Sequence, residues 1–340
     1  MNVAILGYGS IALDHAHAVA ALRESGVRPD LNLYGVMGPK KEPTAAFGRE
    51  FGIPVATASL DELLGDPNVE AVIVCSPSPD HAEQTERCLR AGKHVLCEIP
   101  LALLLAETER LTELADEVDR RLMVCHTQRY LPALMEARRL IAAGEIHPHA
   151  IVSRYMFGRR ENVNWRGRRR TWTDNLLWHH GGHAVDAALW LLGVADRDET
   201  VATVAQVALP GADLGIPMDL SLAMRTARDQ LVTVAMSYHV HFPVHDYLII
   251  GEERTLLFAE GCLRDGERVL VEADRSEAGT PDSAIARQDA EFFAAIREGR
   301  EPAVSGRSVR PAMAALQAAQ DVIDGRRAEI GSDAQHPRHP

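Results

Sequence analysis

The chain has 340 residues, 46% of them hydrophobic, and a formal net charge of −12. A length beyond what one core serves implies two domains, and the acidic balance argues against a nucleic acid as partner. No apolar run reaches the roughly 18 residues that cross a bilayer, Met1 leads into a glycine motif without a basic stretch and cleavage site, and the five cysteines lack C-x-x-C spacing; the expectation is a cytoplasmic protein with reduced thiols that contacts no membrane.

Up to residue 125, short apolar runs alternate with helical stretches: strand 2–6, helix 11–25, strand 31–37, helix 44–51, strand 71–75, helix 80–91, strand 94–97, helix 106–120 and strand 122–125. Such βαβ units imply an α/β fold with a doubly wound parallel sheet, a Rossmann domain over residues 1–125 whose ligands gather at the carboxyl ends of the strands. Those ends are Gly7, Met37, Ser76, Glu98 and His126. After a helix at 132–143 the β runs lengthen, at 150–157, 201–209, 219–226, 231–239 and 246–252. One helix interrupts them at 176–192, and two more follow at 284–298 and 311–324. Residues 126–330 are therefore expected to form an α+β domain with an open, mainly antiparallel sheet, its late helices packing back on the first domain, and residues 331–340 a disordered tail. An open sheet with one uncovered face often pairs with its copy, so a homodimer or homotetramer is expected.

The run Gly7-Tyr8-Gly9-Ser10-Ile11-Ala12 follows the first strand and opens an alanine-rich helix. Residues without a β-carbon let backbone N–H groups and a positive helix end approach a pyrophosphate, so Gly7, Gly9, Ser10 and Ile11 are expected to bind a nicotinamide dinucleotide. The pattern by itself is common in glycine-bearing turns; its place after an N-terminal strand carries the reading. NAD enzymes usually end the second strand on an acid that accepts from the ribose 2′-hydroxyl. Here that end reads Val36-Met37-Gly38-Pro39-Lys40-Lys41. The missing acid and the following cations favour NADP over NAD, unless Lys40 and Lys41 are simply a solvated helix start.

His179 and His183 lie four apart on the expected helix and share a face, with His180 pointing elsewhere. Neutral imidazole suits a general base near neutral pH, although a lone helical histidine is more often structural. The same pair, with His126 or Asp174, could hold a divalent metal; no H-E-x-x-H or third fixed ligand accompanies it, so no metal is expected. Arg129 follows a strand end, and Arg159, Arg160, Arg168, Arg169 and Arg170 cluster around Asn162, Asn164 and Trp165. Their planar forks suit carboxylates, so the cluster reads as a loop over the pocket; the alternative is a solvated charge run. Cys97 lies in an apolar strand without an adjacent base and reads as a filler rather than a nucleophile.

The order of the glycine turn, then Cys75-Ser76-Pro77-Ser78-Pro79-Asp80-His81, then Ala91-Gly92-Lys93-His94-Val95-Leu96-Cys97-Glu98-Ile99-Pro100, resembles the Gfo/Idh/MocA oxidoreductase family along nearly the whole chain. The resemblance implies cofactor contacts from Ser76, Pro77 and His81, a Glu98 that meets the nicotinamide ribose, and Ile99 beside the nicotinamide where the family commonly carries lysine. It also implies that His183 keeps the family's helical histidine, while His179 replaces an aspartate. The segments His126-Thr127-Gln128-Arg129-Tyr130 and Trp172-Thr173-Asp174-Asn175-Leu176-Leu177-Trp178-His179-His180 resemble the branch acting on 4-carboxy-2-hydroxymuconate-6-semialdehyde. That implies preference for NADP and oxidation of a cyclic hemiacetal to the lactone 2-pyrone-4,6-dicarboxylate. His183 is then the base, His179 orients it or binds substrate, and the small carboxylated substrate meets Arg129, His126, Asp174, Trp172, His180 and Arg160. The wider family offers sugar or polyol oxidation as an alternative, which the missing lysine disfavours. A non-catalytic NADP-binding sensor is a third.

Overall fold

Val3, Ala4, Ile5 and Leu6 of β1 (Asn2–Leu6) are fully buried, the signature of a strand covered on both faces. The computed structural model describes residues 1–161, 163, 175–207, 216–274, 276 and 279–335, without the side chains of 326–335. After β1 come α1 (Ser10–Glu24), β2 (Asn32–Met37), α2 (Lys41–Phe51), β3 (Val55–Thr57), α3 (Leu60–Gly65), β4 (Ala71–Val74), α4 (Ser78–Arg90), β5 (His94–Cys97), α5 (Leu105–Glu117) and β6 (Leu122–Val124). Their strands pair in parallel in the order β3-β2-β1-β4-β5-β6. This is the doubly wound sheet expected, and its order reverses between β1 and β4, the switch point beyond whose carboxyl ends sheets of this kind bind their ligands.

The reading missed β3 and α3. β3 has three residues, sits at the sheet edge and shows no apolar alternation. α3 is announced only by its start: Ser59 Oγ accepts from the Glu62 amide at 3.2 Å, and Thr57 donates to the Glu62 carboxylate, a variant of the capping box.

The chain continues through α6 (Pro132–Ala142), β7 (Pro148–Met156), a helical turn at Leu176–Gly181, α7 (Gly182–Leu191), β8 (Ala202–Val207), β9 (Asp219–Arg225), β10 (Leu231–Ser237), β11 (Val244–Gly251), β12 (Thr255–Ala259), β13 (Cys262–Asp265), β14 (Arg268–Val271), α8 (Ala284–Glu298) and α9 (Gly306–Gln335). Two compact units result: Met1–Met135 with Asp274–Arg310, and Glu136–Ala273 with Pro311–Pro340. The second unit's sheet runs β14-β13-β12-β11-β7-β10-β9-β8. It is antiparallel except at its centre, where β7 and β10 are parallel. Leu220, Leu222, Met224, Val232, Val234, Met236 and Ile151 turn inward from alternate positions, and α7 packs on β7 and β10. Val152, Val204 and Leu231 are exposed on the sheet. Not anticipated were β12 to β14, short strands whose residues are mostly half-buried or exposed rather than one fully buried run.

α8 belongs to the first unit and packs on α1; Ser283 Oγ caps it by accepting from the Ala286 amide. Proline often opens a helix, which set the expected start of the last one at Pro311. α9 begins earlier, at Gly306, where Ser305 Oγ accepts from the Ser308 amide. It continues through the expected tail to Gln335; residues 336–340 lie outside the described residues.

Candidate functional site

The glycine turn is built around Gly7. Its N–H donates to the Met37 carbonyl at 2.7 Å, its φ is +111°, and a Cβ there would lie 2.7 Å from the Cys75 carbonyl oxygen. Only glycine fits, because the backbone is in a left-handed region and the next strand leaves no room. Gly9 differs: its φ is −76°, and a Cβ would meet nothing within 4 Å. Open space thus faces the start of α1, whose first turn carries no acid and no capping side chain. Ser10 and Ile11 follow at that helix end, where N–H groups and the helix dipole favour an anion. The cradle fits a pyrophosphate.

At the end of β2, a Cβ on Gly38 would lie 2.4 Å from the Tyr8 ring. The tyrosine therefore excludes a carboxylate side chain from this position. Lys40 and Lys41 are exposed and, among the described residues, have no ion-pair partner.

The ends of β4 and β5 are joined by His81. Its Nδ1 lies 2.7 Å from the Pro100 carbonyl oxygen and its Nε2 2.8 Å from that of Ser76. Carbonyls only accept, so both ring nitrogens donate and the ring is an imidazolium. Burial works against that charge, but Cys97 and the two carbonyls hold the ring up at about 9. His81 is 1% exposed and shapes the loop from within, while Pro77 stands exposed at the start of α4 and Ser76 Oγ donates to Gln84. Ile99 is buried and its amide donates to Glu98 Oε2 at 3.2 Å; the Ile99–Pro100 peptide is cis. Cys97 is buried, with its thiol donating to the Glu98 carbonyl.

Sequence reasoning missed the partners of Glu98. Its Oε1 lies 3.0 Å from His15 Nε2, and His15 Nδ1 lies 2.8 Å from Asp289 Oδ2. Burial disfavours a charge on His15, yet Asp289 and Glu98 outweigh it and hold the ring at about 10. Burial pushes the Asp289 carboxyl up against the pull of His15. Among the described residues, His15, Glu98 and Cys125 also bring a nitrogen, an oxygen and a sulfur within 4.8 Å of one another. Each His15 ring nitrogen faces its own carboxylate oxygen, so an imidazolium donating one N–H to Asp289 and one to Glu98 supplies the positive charge between them.

These histidines predict a pH dependence of stability. Folding raises His15 and His81 from 6.5 to about 10 and about 9, so the folded chain binds their protons more tightly than the unfolded one. Their contribution is complete below pH 6.5 and is lost as pH rises through 9 and 10. Half-buried His94 and His245 are instead lowered from 6.5 to about 4, chiefly by desolvation, and their contribution is lost as pH falls from 6.5 toward 4. Thermal midpoints should fall on both sides of a maximum near neutrality; a midpoint that stays level from pH 6.5 to 10 contradicts the two imidazolium assignments.

His126 and Arg129 close the end of β6, and both are buried. The Arg129 guanidinium donates to the Ser308 hydroxyl at 3.3 Å and to its carbonyl at 3.2 Å, and Thr127 donates to Gln288. At least part of Arg129 is thus committed to the start of α9.

In the second unit, Asn175 Oδ1 accepts from the Leu177 and Trp178 amides at 2.9 and 3.1 Å and starts the histidine-bearing helix. A regular α-helix was expected across 176–192. The first turn, Leu176–Gly181, is instead a π turn that passes into α7 at Gly182, a distortion frequent at functional sites. At Gly181 the turn packs on Met236 and Leu316, each 3.4 Å from where a Cβ would stand, an ordinary van der Waals contact. His179 and His183 remain neighbours across this change, with ring centroids 6.1 Å apart, and both are half-buried.

His180 turns into the sheet. It stacks on Phe157 with centroids 4.8 Å apart and hydrogen-bonds the Tyr238 hydroxyl through Nδ1 at 3.0 Å. Arg160 donates to the carbonyls of Tyr238 and His239, and the Arg159 guanidinium lies over the Tyr238 ring at 5.6 Å. Asp174, Trp172, Arg168, Arg169, Arg170, Asn162, Asn164 and Trp165 lie outside the described residues. Sequence reasoning also missed His245. On β11 opposite Tyr155 of β7, with ring centroids 4.3 Å apart, it is held neutral by burial and then by its proximity to His183. Only its strand placement reveals it.

A parallel sheet of this order, a pyrophosphate cradle and a second sheet-bearing unit define a dinucleotide-dependent oxidoreductase. Residues 1–126 match the family model described as oxidoreductase family, NAD-binding Rossmann fold, and residues 132–275 match bacterial oxidoreductases, C-terminal. The chain is 32% identical over 303 residues to 4-carboxy-2-hydroxymuconate-6-semialdehyde dehydrogenase from Sphingobium sp., covering 89% of this chain and 92% of that one. It is 26% identical to an inositol 2-dehydrogenase from Acidothermus cellulolyticus, covering 97% and 93%. Its fold matches levoglucosan dehydrogenase in complex with NADH and levoglucosan, with a TM-score of 0.83 and 20% identity over 96% of this chain and 97% of that one. The chain belongs to the Gfo/Idh/MocA oxidoreductase family. Among the described residues no helix is long and apolar enough to cross a membrane.

Proposed function

We propose that this protein oxidises the cyclic hemiacetal of 4-carboxy-2-hydroxymuconate-6-semialdehyde to 2-pyrone-4,6-dicarboxylate, with NADP as the preferred acceptor. The observation that carries this reading is the likeness to the semialdehyde dehydrogenase, which spans nearly the full length of both chains. The bound dinucleotide supplies the hydride acceptor. Gly7, Gly9, Ser10 and Ile11 hold its pyrophosphate, and Glu98 accepts from its nicotinamide-side ribose. A hydroxyl proton must leave as hydride departs from the same carbon, and a ring nitrogen of His183 takes it while His179 orients the ring. His245, neutral beside His183, leaves that proton without a second cation to oppose it. Ile99 has no proton to relay and excludes water from the nicotinamide face. Arg129 and Arg160 are assigned to the substrate carboxylates, and each is also bound to protein groups.

The reading is tested by NADP reduction with enzymatically generated semialdehyde alongside inositols and sugars. A kcat/KM at least a hundredfold higher for the semialdehyde is expected. Preference for an inositol or a sugar would favour polyol oxidation, and tight NADP binding without turnover would favour a sensor.

The cofactor preference rests on Lys40 and Lys41. Charge-assisted contacts are worth roughly 1.5–3 kcal/mol each, so the double variant Lys40→Ala/Lys41→Ala should lower NADPH affinity on the order of a hundredfold or more and leave NADH affinity nearly unchanged. Equal losses for both dinucleotides would show that the lysines are a solvated helix start.

A further inference from the structure

Glu98 stands at the end of β5 with its side chain 14% exposed, so a ligand can reach the carboxylate. Behind it the network is completely closed: the side chains of His15 and Asp289 have no exposure at all. His15 comes from α1, Asp289 from α8 and Glu98 from the end of β5, so one imidazole ties two helices to a strand end. Each ring nitrogen faces a carboxylate oxygen, at 2.8 and 3.0 Å, and Cys125 Sγ lies 3.9 Å from Nε2. The mechanism above makes no use of His15 or Asp289, and two buried, ion-paired groups beside the cofactor cradle call for an account.

We propose that His15 is a positioning residue: anchored by Asp289, it holds the Glu98 carboxylate in the single orientation that meets the nicotinamide half of a bound dinucleotide. This rests on the dinucleotide reading above. A glutamate side chain has three rotatable bonds, and freezing it before the ligand arrives removes an ordering cost from binding. The imidazolium does this from inside the protein, where water cannot compete for the carboxylate. The Ile99 amide, donating to Oε2, fixes the second oxygen. His15 also balances charge, since Glu98 and Asp289 would otherwise face each other across a buried space.

Two variants separate positioning from packing. In His15→Gln the side-chain amide reaches toward the place of Nε2, keeping a donor for Glu98 and giving up Asp289. In His15→Asn it occupies the place of Nδ1, keeping Asp289 and giving up Glu98. Binding of NADPH is followed by nicotinamide fluorescence, and binding of 2′-phospho-ADP, which lacks the nicotinamide half, by calorimetry. His15→Asn should bind NADPH on the order of ten- to a hundredfold more weakly and 2′-phospho-ADP as the wild type does, whereas His15→Gln, which keeps a donor for Glu98 but neither the anchor nor the charge, should lose several-fold less NADPH affinity than His15→Asn and also bind 2′-phospho-ADP as the wild type does. Equal NADPH affinity in His15→Asn and wild type overturns the proposal, as does a loss shared equally by the two ligands.

Wild-type protein labelled with 15N-histidine provides a readout that does not depend on a variant folding well. The His15 ring, in contact with Glu98, Asp289 and Cys125, should show both nitrogens protonated at neutral pH. A ring with an unprotonated Nε2, or stoichiometric metal in the purified protein, overturns the proposal in favour of a cation held by His15, Glu98 and Cys125. Failure of the wild type to bind any nicotinamide dinucleotide would refute the reading beneath the proposal instead.

Discussion

Gly7→Ala is expected to destabilise the first unit by about 2 to 6 kcal/mol and to weaken dinucleotide binding on the order of ten- to a hundredfold. Two costs add. An alanine at a φ of +111° is held in a sparsely populated backbone region, which costs about 1–3 kcal/mol. Its Cβ also meets the Cys75 carbonyl oxygen at 2.7 Å, and relief by a backbone shift costs a further 1–3 kcal/mol or so. That shift moves the turn by several tenths of an ångström relative to β4, and misplacements approaching 1 Å can cost about a hundredfold in a positioned site. Gly9→Ala is the internal control. With a φ of −76° and nothing within 4 Å of the new methyl group, its thermal midpoint should match the wild type while NADPH binding weakens, because the methyl fills space the pyrophosphate needs. If both variants bind NADPH normally, the cradle is not a dinucleotide site.

His183→Ala is expected to lower kcat by about a hundred- to ten-thousandfold, the range for loss of a general base, with NADPH affinity unchanged. The side chain is half-buried on α7, and the methyl group leaves the surrounding Ala184, Val185 and Ala187 in place. Stability should therefore move little, and the pH profile of the residual activity should lose its acid limb. Turnover within threefold of the wild type would remove His183 from the proton-transfer role and direct attention to His179.

Local patterns carried much of the fold. The bounds of β1, β5 and α8 follow directly from apolar runs and a serine cap, and the order of βαβ units specifies the parallel sheet. β3 and β12 to β14 escaped notice because, unlike the equally short β4, β5 and β6, they are not continuously buried apolar runs. The π turn at Leu176–Gly181 escaped because nothing in a helical period of 3.6 marks one added residue. At the candidate site, Gly7 and Gly9 were legible because backbone geometry restricts residue type at a fixed place in the chain.

The His15, Glu98 and Asp289 network was not legible. His15 and Asp289 lie 274 positions apart, and an isolated histidine inside an alanine-rich helix gives no sign of its partner. His245 was hidden for a similar reason: its meaning depends on strand register against Tyr155 and on a histidine from another element. Arg129, His180 and Arg160 illustrate the opposite limit. Their residue types suggested substrate contacts, while the structure shows each bonded to protein groups as well.

The central claim, that this chain oxidises a carboxylated hemiacetal with a nicotinamide dinucleotide, is tested most directly by mixing the wild-type protein with NADP and the semialdehyde and measuring reduced dinucleotide and lactone together. One NADPH is expected for each 2-pyrone-4,6-dicarboxylate formed. Lactone without NADPH, or no NADPH while NADP binds tightly, would contradict it.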